Sequence, residues 1–130
     1  MTTVCDCSGI GILLVDGDLL FRQALADNLR FDGHEVVECA SAHDAIPAIR
    51  SAPCAALVTE YVVPGANGVY LADRFRSLRS GPTVVVTAQV TGTVAADVGA
   101  RHYVHLLSKP LEYQRLHDLL HRLVEDLEDR

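Results

Sequence analysis

The chain has 130 residues, which is enough for one domain and leaves little room for a second. Hydrophobic residues make up 49% and charged residues 22%, a balance that excludes a disordered chain and predicts a globular core. The formal net charge of −6 disfavours nucleic acid as a partner, because phosphate binding draws on clustered lysine and arginine. We therefore expect one domain that docks on other proteins.

The sequence offers no segment for membrane insertion. The longest apolar run near the start, residues 10–15, is too short for a membrane span or a signal peptide. We therefore expect a cytoplasmic protein with no membrane partner, in which the cysteines are reduced. The pair Cys5 and Cys7 lacks a second pair at zinc-finger spacing, so an ordinary tail is a better interpretation than a metal site.

Short apolar runs recur along the chain at the length of β-strands. The first, Ile10 to Val15, is continuous, as in strands buried on both faces of a parallel sheet. The same pattern predicts further strands at residues 34–39, 55–58, 83–86 and 103–107.

Apolar residues at helical spacing predict a helix after each strand. Asp18 offers an N-cap to the first helix and Gly33 a stop. The second helix has Ser41 or Asp44 as its N-cap. Asp44 is preferred and the helix is predicted to be short, because proline is tolerated in a first turn and Pro47 must lie there. The other helices are predicted at residues 71–79, 91–98 and 116–127.

Strands that alternate with helices across short connections predict right-handed crossovers. The predicted fold class is α/β, a doubly wound five-stranded parallel sheet with helices on both faces. Residues 1–9 are expected to form a tail and residues 10–128 the domain, with no output domain in this chain.

Polar side chains fall where the predicted strands end. Asp16, with Asp18 two residues on, follows the first strand, Glu60 the third, Thr87 the fourth and Lys109 the fifth. Function in open parallel sheets lies at the carboxyl ends of the strands, so these side chains are expected to share one site. Two carboxylates, a hydroxyl and an ammonium suit a phosphate or a metal ion.

These motifs resemble the receiver domain of two-component response regulators over residues 10 to about 127. The resemblance rests on an acid four residues before Pro64, and on Val15-Asp-Gly-Asp18, Pro64-Gly-Ala-Asn-Gly68, Val86-Thr87-Ala88 and Ser108-Lys109-Pro110. It implies a flavodoxin-like receiver fold.

The resemblance also implies a chemistry for the site. A receiver takes a phosphoryl group from a histidine kinase on an aspartate at the position of Glu60. Two acids after the first strand, of which Asp16 is one, help bind Mg²⁺, while Thr87 and Lys109 contact the phosphoryl oxygens. An aromatic residue three positions before the lysine, here Leu106, is the switch.

Three positions depart from this pattern. Glu60 is one methylene longer than aspartate, which displaces its carboxylate by about 1.5 Å, and a misplacement of that size can cost a hundredfold in rate. Gly17 removes one of three acids, so Asp16 and Glu60 are nearly balanced by Lys109 and Mg²⁺ binding is predicted to be weak or absent. Leu106 has no hydroxyl to exchange partners.

Several functions remain open. The preferred one is a phosphorylation-independent interaction module that is not an enzyme and needs no cofactor, with a histidine kinase or an effector as its partner. The alternatives are a working phosphoacceptor and a flavodoxin-like ligand-binding protein. Glu60 could also imitate a phosphorylated aspartate, bonded to Thr87 and paired with Lys109.

Two further expectations concern the surface. The family's use of the face formed by the fourth helix, fifth strand and fifth helix predicts partner binding there, and the apolar stripe of the last helix makes a homodimer possible. His117 and His121 are four residues apart on that helix without an accompanying glutamate, so we expect them to be exposed and without a metal.

Overall fold

The computed structural model describes residues 9–128, so Cys5, Cys7 and nearly all of the expected tail lie outside the described residues. The five predicted strands and the five predicted helices are present and alternate along the chain, and a short hairpin of two further strands follows the third predicted strand. The strands are β1 (Gly11–Val15), β2 (Glu35–Cys39), β3 (Ala56–Thr59), β4 (Val62–Val63), β5 (Ala66–Asn67), β6 (Thr83–Thr87) and β7 (Val104–Ser108). The helices are α1 (Leu19–Phe31), α2 (Ala42–Ser51), α3 (Gly68–Leu78), α4 (Gly92–Gly99) and α5 (Tyr113–Glu128).

Five of the strands form one sheet in the order β2-β1-β3-β6-β7, and every neighbouring pair is parallel. The predicted α/β fold class is therefore confirmed. Because the strands are parallel, the residues that follow β1, β3, β6 and β7 all lie at one edge of the sheet, where the polar residues were predicted to meet.

Alternate residues of the central strands face two different layers of helices. Ile12 and Leu14 of β1 pack with Leu29 of α1 and Leu120 of α5. The strand residues that alternate with these point to the other face of the sheet. They pack against α2, α3 and α4 in two clusters, one around Phe75 and one around Val85. Both faces of the sheet are therefore covered, which explains why its strands are continuous apolar runs.

Helix α1 begins and ends as the sequence predicts. The Asp18 side chain accepts a hydrogen bond from the Phe21 N–H at 3.2 Å, as an N-cap does. Gly33 follows the helix with φ of +94°, a conformation that glycine adopts without steric cost. This turn leads directly into β2.

The prediction for α2 is wrong. Ser41, and not Asp44, is the N-cap, and its side chain accepts from the Asp44 N–H at 3.3 Å. The helix runs for 10 residues, so Pro47 lies inside it. Proline is tolerated here because Pro47 and His43, whose carbonyl loses its intrahelical donor, are both exposed and can be hydrated.

The loop after the third strand is more ordered than its turn-rich sequence indicates. Its residues form a short antiparallel hairpin of β4 and β5, in which Val62 pairs with Asn67. Asn67 is also the N-cap of α3 and accepts from the Tyr70 N–H at 2.8 Å. The helix consequently begins three residues before the predicted start at Leu71.

The backbone of Gly81 lies close to that of Ala55, which leads to a prediction about stability. A Cβ atom added to Gly81 would lie 1.9 Å from the Ala55 carbonyl oxygen and 3.1 Å from Phe75 Cε2. We expect Gly81→Ala to lower the free energy of unfolding by about 2 kcal/mol, because backbone and core must both shift. Urea denaturation measures the change. Gly99→Ala is the control, since nothing lies within 4 Å of its added Cβ, and an equally large loss there would contradict this explanation.

The apolar stripe of α5 packs inside the domain. Leu116 and Leu120 are fully buried, while Leu119 and Leu123 pack against the same core cluster. The stripe therefore gives less support to the predicted homodimer than the sequence suggested. Among the described helices, none is long and apolar enough to cross a membrane.

Candidate functional site

The structure brings together the polar residues that the sequence placed at the strand ends. A surface pocket at the carboxyl edge of the sheet is lined by Asp16, Glu60, Thr87 and Lys109, as well as Asp18. Asp16 continues from β1 and Glu60 from β3, while Lys109 follows β7 on the other side of β6. Parallel pairing of β1, β3, β6 and β7 thus creates the pocket from residues up to 93 positions apart.

Lys109 bridges the two carboxylates of the pocket. Its Nζ donates to Asp16 Oδ2 at 3.0 Å and lies 3.1 Å from Glu60 Oε1. Burial by itself lowers the pKa of Lys109, but the hydrogen bonds to Asp16 and Glu60 outweigh burial and raise that pKa above its ordinary value of 10.5. The ammonium also lies 4.0 Å from the centroid of the Phe21 ring. Lys109 is therefore charged, and its positive charge offsets part of the negative charge of Asp16 and Glu60.

The other oxygens of both carboxylates are bonded as well. Asp16 Oδ1 accepts from the Asp18 N–H at 2.8 Å. Glu60 Oε2 accepts from the N–H of Tyr61 and, at 3.4 Å, from that of Val62. The longer glutamate side chain thus folds back onto the backbone of its own loop. Each of the four oxygens has a donor within the chain.

Thr87 lies in the pocket but does not bond to Glu60. Its hydroxyl accepts from the Gln89 N–H at 3.2 Å, and no hydrogen bond among the described residues joins it to the Glu60 carboxylate. The pairing of Glu60 with Lys109 expected for a mimic of the active state is present, whereas the expected bond to Thr87 is not.

The position of the missing acid is sterically open. A Cβ added to Gly17 would meet Pro64 Cδ at 3.3 Å and the Ala40 carbonyl oxygen at 3.6 Å, distances that need at most a small adjustment. Asp18 does not replace that acid, because its carboxylate caps α1. The pocket therefore holds one acid fewer although its backbone has room for it.

Leu106 lies on β7 and packs against the same core cluster as two tyrosines whose hydroxyls are hydrogen-bonded. Tyr61, Tyr103 and Leu106 are partly buried against the same core cluster. The Tyr61 hydroxyl donates to Asp97 at 2.8 Å and the Tyr103 hydroxyl to Asp73 at 2.7 Å. Neither aromatic side chain is free to take the place of a switch residue at position 106.

The ion pair of Asp73 with Arg101 fastens α3 to the segment before β7. Arg101 Nε and Nη2 donate to the two Asp73 oxygens at 2.7 and 2.9 Å. These bonds, with that of Tyr103, lower the pKa of Asp73 below its ordinary value of 3.8. The stabilisation is therefore present above pH 3.8 and is lost as the pH falls through the lowered pKa.

We expect Asp73→Asn to reduce stability at neutral pH and to flatten the loss of stability below pH 3.8. Urea unfolding at a series of pH values measures both effects. Asp27→Asn is the control, because Asp27 is exposed on α1. A pH profile of Asp73→Asn with the same slope as wild type would contradict the assignment.

The prediction for the two helical histidines is wrong. His117 and His121 are half-buried, and their rings pack against the buried His34. Sequence reasoning missed the cluster because His34 comes from a different element, 83 residues before His117. It also missed Phe21, whose position on α1 gave no indication that it faces Lys109.

The chain thus combines a doubly wound parallel sheet with two acids and a lysine at its carboxyl edge, the arrangement that the resemblance to a receiver domain implies. A family model described as "Response regulator receiver domain" matches residues 12–121. The chain belongs to the response regulator receiver domain family.

Curated relatives carry the same module in longer chains. The response regulator protein FleR of Pseudomonas aeruginosa is 30% identical over 112 residues, which cover 85% of this chain and 24% of FleR. The transcriptional regulatory protein TcrA of Mycobacterium tuberculosis is 32% identical over 113 residues, 84% of this chain and 44% of TcrA. This chain thus spans less than half the length of either relative.

Solved structures agree on the fold. A CheY-like response regulator receiver domain protein from Methanospirillum hungatei superimposes with a TM-score of 0.86 at 20% identity, covering 92% of this chain and 97% of that one. A putative response regulator from Chloroflexus aurantiacus gives 0.78 at 26% identity, covering 90% and 98%. The family favours the receiver interpretation over a flavodoxin-like ligand-binding protein.

Proposed function

We propose that this receiver domain of a two-component response regulator acts as a phosphorylation-independent protein-interaction module and not as an enzyme. The observation that carries the proposal is Lys109 bonded to both Asp16 and Glu60. The ammonium that would meet an incoming phosphoryl group is thereby engaged within the resting pocket. The domain has a charge-paired site in place of a reactive one.

The acid pocket also fits Mg²⁺ poorly. This ion needs several oxygen ligands in near-octahedral arrangement, usually carboxylates, water and phosphate oxygens. Every oxygen of Asp16 and Glu60 already accepts from a donor within the chain, Asp18 caps a helix, and Gly17 contributes no side chain. Binding the ion would break the Lys109 bridge, so we propose that Mg²⁺ binds weakly or not at all.

Glu60 is poorly placed to accept a phosphoryl group. In-line transfer depends on the position of the attacking oxygen, and an error of about 1 Å can cost about a hundredfold in rate. One Glu60 oxygen is held by Lys109 and the other by the backbone N–H groups of Tyr61 and Val62. Both are engaged before any donor arrives.

The test of the proposal is incubation with acetyl phosphate and Mg²⁺ followed by intact mass measurement. We expect no stable gain of a phosphoryl group. A gain that maps to Glu60 would establish the competing function of a working phosphoacceptor and overturn the proposal. A phosphoryl group found on another residue would mean that Glu60 is unreactive. It would also contradict the proposal that the domain acts independently of phosphorylation.

Mimicry of the active state has a separate test on a partner obtained from the native cell. If Glu60 imitates a phosphorylated aspartate, Glu60→Asp will change the affinity for that partner. We expect equal affinity, because the Glu60 carboxylate has no bond to Thr87. The partner is proposed to be a histidine kinase or a downstream effector.

We propose that the partner docks on the face formed by α4, β7 and α5, and a homodimer through that face stays a prediction.

A further inference from the structure

Three histidines converge at the opposite end of the sheet from the acid pocket. His34 directly precedes β2, whose first residue, Glu35, pairs with the first residue of β1. His117 and His121 extend toward it from one face of α5. One ring nitrogen from each of the three lies within 4.8 Å of the others, and the Nε2 atoms of His34 and His117 are 3.0 Å apart.

This spacing is close to that of a metal site. Zinc bound to imidazole nitrogens at about 2.0–2.1 Å in a tetrahedron separates those nitrogens by about 3.3 Å. The three nitrogens here lie within 4.8 Å of one another, so the side chains would move by at most about 1.5 Å to reach that geometry. Two histidines four residues apart on a helix add a rigid support, because Leu116 and Leu120 anchor the same helix in the core.

One nitrogen of the cluster has no partner. His121 Nε2 is buried and makes no hydrogen bond in the part of the chain that the structure describes. Leaving a polar atom in this state costs about 1–3 kcal/mol, which a ligand at the cluster would offset. A metal ion at the cluster would use its lone pair.

The hydrogen bonds of His34 define its tautomer. Its Nδ1 accepts from the Ile10 N–H at 3.0 Å, so the neutral ring carries its proton on Nε2 and donates it to His117 Nε2. His34 is 4% exposed, and burial together with the neighbouring His117 and His121 lowers its pKa. A neutral imidazole is the form that binds metal ions.

We propose that His34, His117 and His121 bind one Zn²⁺ ion. Neutral imidazoles favour zinc and its neighbours in the first transition row over Mg²⁺, which prefers oxygen. Asp32 offers a carboxylate for a fourth position: its Oδ2, which accepts from the Tyr113 hydroxyl, lies 3.7 Å from His117 Nε2. The site is independent of the phosphoryl pocket and of the function proposed for it.

Metal binding has a consequence for the start of β1. Zinc on His34 Nε2 displaces the proton from that atom, and the neutral ring then carries its proton on Nδ1. Nδ1 can no longer accept from the Ile10 N–H, so that bond breaks. Binding of the ion to the histidines of α5 therefore changes the hydrogen bonding of one backbone amide, that of Ile10, next to the start of β1.

The experiment uses the full chain with Cys5→Ser and Cys7→Ser, so that thiolates do not bind the probe. Zn²⁺ is titrated calorimetrically, and Co²⁺ absorbance reports tetrahedral coordination. We expect one ion per chain and a large shift of the Ile10 amide resonance on binding Zn²⁺. His117→Gln with His121→Gln should weaken binding by more than about 100-fold, beyond the 10–100-fold typical of an outer partner.

The matched control is His43→Gln with His102→Gln, which changes two exposed histidines and should bind as wild type does. Circular dichroism checks the fold of each variant. Should the helix variant unfold, His34→Asn provides the same test, because its amide oxygen can still accept from Ile10. Equal affinity in the cluster and control variants, or no bound ion after dialysis against micromolar Zn²⁺, would overturn the proposal.

Discussion

Replacing Lys109 with methionine is expected to lower the free energy of unfolding by about 3 kcal/mol at neutral pH. The substitution keeps an apolar side chain of similar length but leaves two carboxylates facing each other. Breaking a buried ion pair from one side costs about 3–5 kcal/mol, and the low end applies because the Lys109 side chain is 17% exposed. Urea denaturation of both proteins measures the loss.

The same variant is expected to gain a response to Mg²⁺. Without the ammonium, one oxygen of Asp16 and one of Glu60 lose their donor and become available to a cation. Millimolar Mg²⁺ should therefore restore part of the stability of Lys109→Met while leaving wild type unchanged. Thermal unfolding with Mg²⁺ and with the same ionic strength of NaCl separates binding from screening.

The control for this effect is Arg115→Met, which removes an equal charge from an exposed position on α5 and should change stability by less than about 0.5 kcal/mol. The double variant Glu60→Gln with Lys109→Met tests the pairing itself, because it removes one of the two facing charges. If this double variant is no more stable than Lys109→Met, the loss comes from packing around Phe21 and not from unpaired carboxylates.

Introducing the two aspartates of the receiver pattern at positions 17 and 60 is expected to allow phosphoryl uptake. Gly17→Asp supplies the missing carboxylate at a position with room for a side chain, and Glu60→Asp withdraws the acceptor by one methylene. Thr87 and Lys109 are already in place. With acetyl phosphate and Mg²⁺, we expect the double variant to gain one phosphoryl group at least about a hundredfold faster than wild type.

The matched control is Gly17→Asn with Glu60→Asn, which has nearly the same shape but lacks both charges and should neither bind Mg²⁺ nor gain mass. The single variants Gly17→Asp and Glu60→Asp show which of the two departures from the receiver pattern slows phosphoryl uptake more. Equal rates in wild type and in the variant with both aspartates would mean that neither position limits the reaction, and the explanation from Gly17 and Glu60 would then be wrong.

The sequence predicted the scaffold because its signals are local. Continuous apolar runs indicated buried parallel strands, and Asp18 and Gly33 marked the ends of α1. Local signals conflicted at α2, where Pro47 favoured a late start. The Ser41 cap prevailed because exposed backbone at Pro47 can bond to water.

The site was partly predictable for the same reason. Once the strands are parallel, Asp16, Glu60, Thr87 and Lys109 must lie at one edge, and sequence order is sufficient to say so. Sequence order does not give the direction of a side chain or its bonding partners. The Thr87 hydroxyl, for example, accepts from the Gln89 N–H and has no bond to the Glu60 carboxylate among the described residues.

The amino-acid sequence by itself determined the fold, the composition of the acid pocket and its three departures from the receiver pattern. Only the tertiary structure decided that Lys109 holds both acids, and that His34 meets His117 and His121. The physical reason is that strand and helix periodicity acts over a few residues, whereas these contacts depend on how a helix packs on a sheet. Packing places residues more than 80 positions apart within one hydrogen bond of each other.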